Sequence, residues 1–114
     1  MATDETIIKF LEGQIAGAGD IRSRKMFGEY AVYCDDKVVA LVCDNNLYVK
    51  ITPGSGRYLD SSHEAPPYSG AKNYLLVPEE KWDDHEWLVK FIRTTASCLP
   101  QPKPKRRKNK AAVK

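Results

Sequence analysis

The chain has 114 residues, of which 42% are hydrophobic and 29% are charged, so its length and composition predict a single soluble globular domain. The first ten residues, MATDETIIKF, carry acids where a signal peptide would be basic. Since no apolar run is long enough to cross a membrane either, we expect a cytoplasmic protein. The three cysteines have no CxxC spacing, which predicts reduced thiols.

The first helix is predicted over residues 4–16. Apolar residues recur there at helical spacing and form one stripe, made by Ile7, Ile8, Leu11 and Ile15. Thr3 or Asp4 is placed to cap the start of this helix, and Gly17 and Gly19 are placed to end it.

From residue 21 to residue 52 the apolar pattern changes to a period of two, in the segments EYAVYC, KVVALVC and LYVKI. The dipeptides between them, Asp35–Asp36 and Asn45–Asn46, suit tight hairpin turns because Asp and Asn tolerate positive φ. These turns predict an antiparallel meander. Its helix-covered face would hold Ala31, Tyr33, Val38, Ala40, Val42, Val49 and Ile51.

The second face of this meander is more apolar than a solvated face should be. It would show Tyr30, Val32, Val39, Leu41 and Tyr48. Another segment or another chain is therefore expected to cover part of it, through a partner groove or a weak homodimer. The predicted interaction face consists of Tyr30, Val32, Leu41 and Tyr48.

The stretch KMFGEYAVY, residues 25–33, has two interpretations. Aromatic and basic residues together can form a stacking platform for single-stranded nucleic acid. Alternation broken by one glycine is also typical of a strand bent at a bulge. The second interpretation is favoured, because the stretch leads directly into a hairpin and no basic groove accompanies it.

The remaining elements follow a loop rich in Gly, Pro and Ser. A short helix is predicted over residues 57–61 and a strand over residues 73–77, NYLLV. Asp83, with Glu86 at capping-box spacing, is predicted to open the last helix, and Pro100 to end it. The buried stripe of that helix would be Trp87, Leu88, Phe91, Ile92, Thr95 and Leu99.

The charge is divided unevenly along the chain. The last fifteen residues, PQPKPKRRKNKAAVK, hold seven of the 18 basic residues and no acidic one. Residues 1–99 therefore carry 11 basic against 15 acidic residues, a net charge of −4. We expect a folded domain over residues 1–99 and a disordered basic tail over residues 100–114.

Two segments carry a family resemblance. The run from residue 24 to residue 50, RKMFGEYAVYCDDKVVALVCDNNLYVK, and the later PPYSGAKNYLLVPEEKWDD resemble the N-terminal domain of the TfoX/Sxy family of competence regulators, over about residues 5–98. The resemblance implies an α+β two-layer sandwich with an antiparallel sheet and helices packed on one face. Its order would be α-β-β-β-α-β-β-α, similar to type III secretion chaperones, with a strand near Tyr68.

The resemblance also implies a function. It is that of a non-enzymatic regulatory or interaction module with protein partners, the transcription machinery among them. Full-length members act with a cyclic-AMP receptor protein at competence promoters and carry a second domain. Because this chain has a basic tail at that place, we expect a stand-alone member without the C-terminal domain.

No motif predicts catalysis, a metal site or a cofactor. Residues 83–86, DDHE, are consecutive and would fan around a helix axis rather than share a face. His63 has no acid–base partner visible in the sequence, and Cys34 and Cys43 have no histidine at a useful spacing. The segment GSG at 54–56 lacks the Lys-Ser/Thr of a P-loop.

The alternative function is non-specific phosphate binding by the basic tail. Its binding residues would be Lys103, Lys105, Arg106, Arg107, Lys108 and Lys110. The acidic domain itself lacks the positive surface that a nucleic-acid backbone requires.

Overall fold

Two helices lie on one face of a six-stranded antiparallel sheet in the computed structural model, which describes residues 3–26 and 28–100. The helices are α1 (Glu5–Ile15) and α2 (His85–Cys98). The strands are β1 (Ile21–Met26), β2 (Glu29–Cys34), β3 (Lys37–Cys43), β4 (Asn46–Val49), β5 (Glu64–Ala65) and β6 (Tyr74–Leu76), in the order β1-β2-β3-β4-β6-β5. The predicted α+β two-layer class is confirmed.

Both helices begin at an aspartate cap. Asp4 accepts a hydrogen bond from the Thr6 N–H at 2.9 Å, and Asp84, rather than the predicted Asp83, accepts one from the Trp87 N–H at 3.2 Å. The helices pack against the sheet through an apolar core. Its fully buried helical side chains are Leu11, Ile15, Leu88, Phe91, Ile92 and Thr95.

Two-residue turns with positive φ close the central hairpins. The first is Asp35–Asp36, as predicted, with φ of 53° and 68°. The second is Asp44–Asn45, with φ of 50° and 62°, one residue earlier than predicted. Positive φ at both central residues gives the twist that a tight hairpin needs. The shift places Leu47 opposite Val42 and leaves Ile51 beyond the strand.

A register shift between β2 and β3 corrects the predicted faces. Tyr33 pairs with Val38, but Val32 pairs with Ala40, so Val39 is an extra residue without a partner in β2. Val32 therefore turns towards the helices with only 1% of its surface exposed, and Val39 is fully buried in the same core. The prediction that both lie on the second face is wrong, because the alternating pattern does not reveal an extra residue.

Other side chains change faces with this bulge. Ala31 pairs with Leu41 and lies on the second face together with Tyr33 and Val38. Tyr30 pairs with Val42, on the helix side, and packs against the edge of the core. The members of the predicted core face that remain there are Ala40, Val42 and Val49.

The segment between β4 and α2 is mostly irregular. Two 3₁₀ turns, Ser55–Arg57 and Ser61–His63, stand where a short helix was predicted. The strand expected near Tyr68 is β5, which lies earlier in the chain, and β6 confirms the predicted NYLLV strand. No helix in the described ranges is long and apolar enough to cross a membrane, and the predicted tail lies outside the described residues but for Pro100.

Val42→Asp should destabilise the fold by about 3–5 kcal/mol, because it places an unpaired carboxylate in the core. Val39→Asp should be as damaging, since Val39 is equally buried. Ile51→Asp, at a site 45% exposed, is the control and should change stability by no more than about 0.5 kcal/mol. Urea unfolding measures all three. A mild effect of Val39→Asp would contradict the bulge.

Candidate interaction surface

An open apolar groove lies in the region of the sheet face that points away from the helices. It has a volume of about 560 Å³. We call it the sheet-face groove; its lining residues are Met26, Glu29, Tyr30, Leu41, Cys43, Tyr68 and Tyr74. Apolar clefts of this size typically accept a ligand or the anchoring side chains of a protein partner.

Distant parts of the chain form this groove. The β1–β2 hairpin contributes Met26 and Glu29, which pair across its end. The centre and the far side come from β3, β6 and the loop between β5 and β6. Met26 and Tyr68 are 42% and 61% exposed, and are two of the large hydrophobic residues in the described chain with extensive exposure. The groove therefore presents apolar surface to solvent.

The carboxylate in the groove has a structural task. Glu29 Oε1 accepts hydrogen bonds from the Thr3 hydroxyl and from the Asp44 N–H, the latter at 3.0 Å. The Thr3 hydroxyl also lies 3.2 Å from the Val42 carbonyl oxygen and 3.3 Å from the Asn45 nitrogen. Glu29 thus joins the N-terminal segment to the β3–β4 turn and fixes the end of the groove.

The titratable thiol of the groove is held neutral. Burial, followed by the negative charges of Glu29 and Asp44, raises the pKa of Cys43 to about 11. Burial likewise raises the pKa of Tyr74, with a smaller contribution from Tyr68. At neutral pH these groups offer O–H and S–H donors and no charge, and a protonated thiol is a poor nucleophile.

The predicted interaction face is only partly assembled here. Leu41 lines the groove from the second face. Tyr30 also lines it, although its pairing with Val42 places it on the helix side and not on the predicted face, and Val32 lies in the core. Tyr48 pairs with Leu41, so it shares the second face as predicted, but it is 8% exposed and does not line the groove. Whether this face binds a partner stays a prediction.

Five lining residues were not anticipated from the sequence: Met26, Glu29, Cys43, Tyr68 and Tyr74. Residues 25–33 are not one strand bent at a bulge as favoured: β1 ends at Met26 and β2 begins at Glu29, so Met26 stands at the end of a hairpin. Tyr74 reaches the groove because β6 pairs with β4, and this long-range pairing leaves no local pattern. The one signal in the sequence that could have pointed to the groove was an aromatic residue, Tyr68, in the loop segment PPYSGAKNY.

The other candidate groups are exposed or structural. His63 Nδ1 lies 3.3 Å from Asp60 Oδ1 in an exposed turn. A Cβ on Gly54 would lie 2.6 Å from Thr94 Cγ2, so this glycine permits close packing against α2. Within residues 3–26 and 28–100, no three His, Cys, Asp or Glu side chains are grouped to hold a metal ion. The predicted tail-binding residues lie outside the described ranges.

Comparison with known proteins points to one family. The family model of the TfoX N-terminal domain matches residues 13–99. An uncharacterized 12.7 kDa protein in the trpE 5' region of Spirochaeta aurantia is 36% identical over 110 residues, which cover 96% of this chain and 95% of that protein. Protein Sxy of Escherichia coli (strain K12) is 28% identical over 98 residues. That match covers 81% of this chain and 47% of Sxy, so the chain spans about half of Sxy.

Cys98 should be the fast-reacting thiol of the native protein. It is exposed, and hydrogen bonding with the Thr52 side chain and the Gly54 backbone lowers its pKa. Cys34 and Cys43 are buried with raised pKa values, and at pH 8 about one Cys43 thiol in a thousand is ionised. Titration with an aromatic disulfide reagent should show one fast thiol, lost in Cys98→Ser. A second fast thiol in the folded protein would contradict this arrangement.

Proposed function

The chain belongs to the TfoX N-terminal domain family, and we propose that it is a non-enzymatic regulatory module that binds a protein partner in the sheet-face groove. The observation that carries the proposal is the exposed apolar surface of Met26 and Tyr68 in a concave lining whose one carboxylate, Glu29, is already hydrogen-bonded. Methionine and tyrosine are enriched at protein interfaces, and contiguous exposed apolar surface commonly marks such sites.

The chemistry of the groove favours binding over catalysis. Its carboxylate is engaged by Thr3 and Asp44, and its thiol is held protonated. A general base or a nucleophile needs a free lone pair and a suitable pKa. The groove instead supplies hydroxyl donors at the edge of an apolar cleft, which suit an anchoring side chain flanked by peptide groups.

The class of partner follows from the family. The resemblance to competence regulators favours a component of the transcription machinery, with the cytoplasm as the place of action. A second copy of the chain is another occupant of the same groove, as a weak homodimer. Because the match covers 47% of Sxy, the activity of a full-length regulator is not transferred to this chain.

A second candidate function rests on the charge distribution. The last fifteen residues carry a charge of +7, while residues 1–99 carry −4. A basic segment attached to an acidic domain can bind nucleic-acid phosphates without contributing sequence recognition.

Replacing groove residues should remove the protein partner. Met26→Ser and Tyr68→Ser, each made in the tagged full chain, should lower partner retention from an extract of the source organism by roughly tenfold, as loss of an interface anchor does. Ile51→Ser is the matched control, since Ile51 is 45% exposed and does not line the groove. Quantitative mass spectrometry after nuclease treatment measures retention. Equal retention by all variants would contradict the groove as the site, and nuclease-sensitive retention would favour the second candidate.

Binding of duplex DNA by the tail should depend on charge alone. Engagement of four or five phosphates predicts a slope of about −4 for log affinity against log salt. Replacing Arg106, Arg107 and Lys108 with glutamine should flatten the slope by roughly three units at most. Fluorescence anisotropy with two unrelated sequences measures both quantities. A strong preference for one sequence would contradict non-specific binding.

A further inference from the structure

A second groove lies on the opposite side of the molecule, between α1 and the segment before α2. Its volume is about 340 Å³. We call it the acidic groove; its lining residues are Thr6, Ile7, Phe10, Glu79, Trp82 and Asp83. One wall is apolar and the other carries carboxylates, so it suits a segment that is both basic and apolar.

The apolar wall is unusually exposed for a helix that packs on a core. Phe10 has 44% of its surface accessible, although Leu11 beside it is fully buried. Trp82 is 6% exposed, and its Nε1 has no hydrogen-bond partner among the described residues. A buried indole N–H normally finds an acceptor. The groove therefore combines the open apolar surface of Phe10 with a largely buried tryptophan.

The segment that supplies one wall of this groove is rich in acidic residues. Residues 79–86 hold five acidic residues and one lysine, a net charge of −4, which equals the net charge of residues 1–99 as a whole. That lysine, Lys81, lies over the Trp87 ring, 5.2 Å from its centroid. No ion pair within 4 Å involves Glu79 or Asp83 in the described part of the chain. These two carboxylates therefore have no ion-pair partner among the described residues.

We infer that the acidic groove is the docking site of the chain's own C-terminal segment, residues 103–113. The basic run KPKRRKNK meets the carboxylates of residues 79–83, and the following Ala-Ala-Val packs on Ile7 and Phe10. The segment thus complements the groove in both charge and apolar surface. Its basic part comes first in the chain and its apolar part follows.

The reach of the segment permits this contact. The groove lies before the first residue of α2 and the tail begins after its last, so the tail must run back along the helix. The 14 residues of α2 give it a length of about 21 Å at 1.5 Å per residue. An extended chain covers about 3.3 Å per residue, so the part of the tail between residues 105 and 110 spans distances of roughly 20 to 36 Å from Leu99. A tether of this length keeps the segment at a local concentration of about millimolar, which allows a weak site to be occupied.

Paramagnetic relaxation in the full chain tests the proposal. A nitroxide is attached to Lys114→Cys, just beyond the docking segment, in a Cys98→Ser background, where Cys34 and Cys43 are buried and remain unlabelled. The expected result is a loss of amide signal intensity concentrated in residues 6–10 and 79–83. This loss should disappear at about 1 M salt, where charges are screened beyond about 3 Å. A loss spread evenly over the surface, or confined to the end of α2, would overturn the proposal.

Two matched comparisons separate specific docking from general electrostatics. In the first, three carboxylates of the groove region are neutralised by Glu79→Gln, Glu80→Gln and Asp83→Asn. The control neutralises three exposed carboxylates elsewhere by Asp36→Asn, Asp44→Asn and Glu64→Gln. The loss of intensity should vanish in the first variant and persist in the control. Equal behaviour of the two variants would show that only net charge matters.

The second comparison tests the apolar wall at constant charge. Phe10→Ser should weaken the intensity loss, whereas Ile51→Ser, at a site of nearly equal exposure, should not. Mixing isotope-labelled protein without nitroxide with unlabelled, nitroxide-bearing protein detects docking onto a second copy. Signal loss in that mixture would overturn the intramolecular assignment. None of these measurements uses the sheet-face groove, so their failure would leave the proposed function untouched.

Discussion

The extra residue in β3 is the constraint on which the rest of the sheet depends. Val39 has no partner in β2, so it and Ala40 both contribute to the core. On the far side of the bulge, Cys34 lies 3.7 Å from the Ala18 carbonyl oxygen and Lys37 Nζ lies 2.9 Å from the Ala96 carbonyl oxygen. A bulge increases the local twist and reverses the side-chain alternation, so the hairpin end reaches the helices. The same reversal places Ala31 and Leu41 on the opposite face.

The sheet-face groove follows from this arrangement and from the Glu29 carboxylate. Glu29 binds both the N-terminal segment and the β3–β4 turn, so the wall at this end of the groove is held by hydrogen bonds rather than by packing alone. Hydrogen bonds to a charged group are stronger than those between neutral groups. The cleft beside it is therefore held in place by the chain's own contacts, which would lower the ordering cost of the proposed binding.

The two sides of the molecule differ in charge. The sheet-face groove presents tyrosine, methionine and a protonated thiol, whereas the groove beside α1 is lined by the carboxylates of Glu79 and Asp83, in a segment, residues 79–86, with a net charge of −4. An apolar anchor of a protein partner and a basic segment would therefore bind on opposite sides of the molecule. The two proposed occupants, a protein partner and the basic segment, would therefore not compete for the same surface.

The sequence by itself determined the local elements and the distribution of charge. The helical stripes, the Asp35–Asp36 turn and the β6 strand depend on neighbours within a few residues, so their patterns are visible in the chain. The resemblance supplied the fold class and the strand between β4 and β6. The uneven charge, too, is a property of the sequence alone.

Only the tertiary structure decided which side chains face the helices and which form the groove. An extra residue such as Val39 leaves no mark on the apolar pattern, yet it moved Val32 from the predicted interaction face into the core. The pairing of β6 with β4 brought Tyr74 to the groove from a distant part of the chain. Strand order and register are set by packing between residues far apart in sequence, and local periodicity carries no information about such contacts.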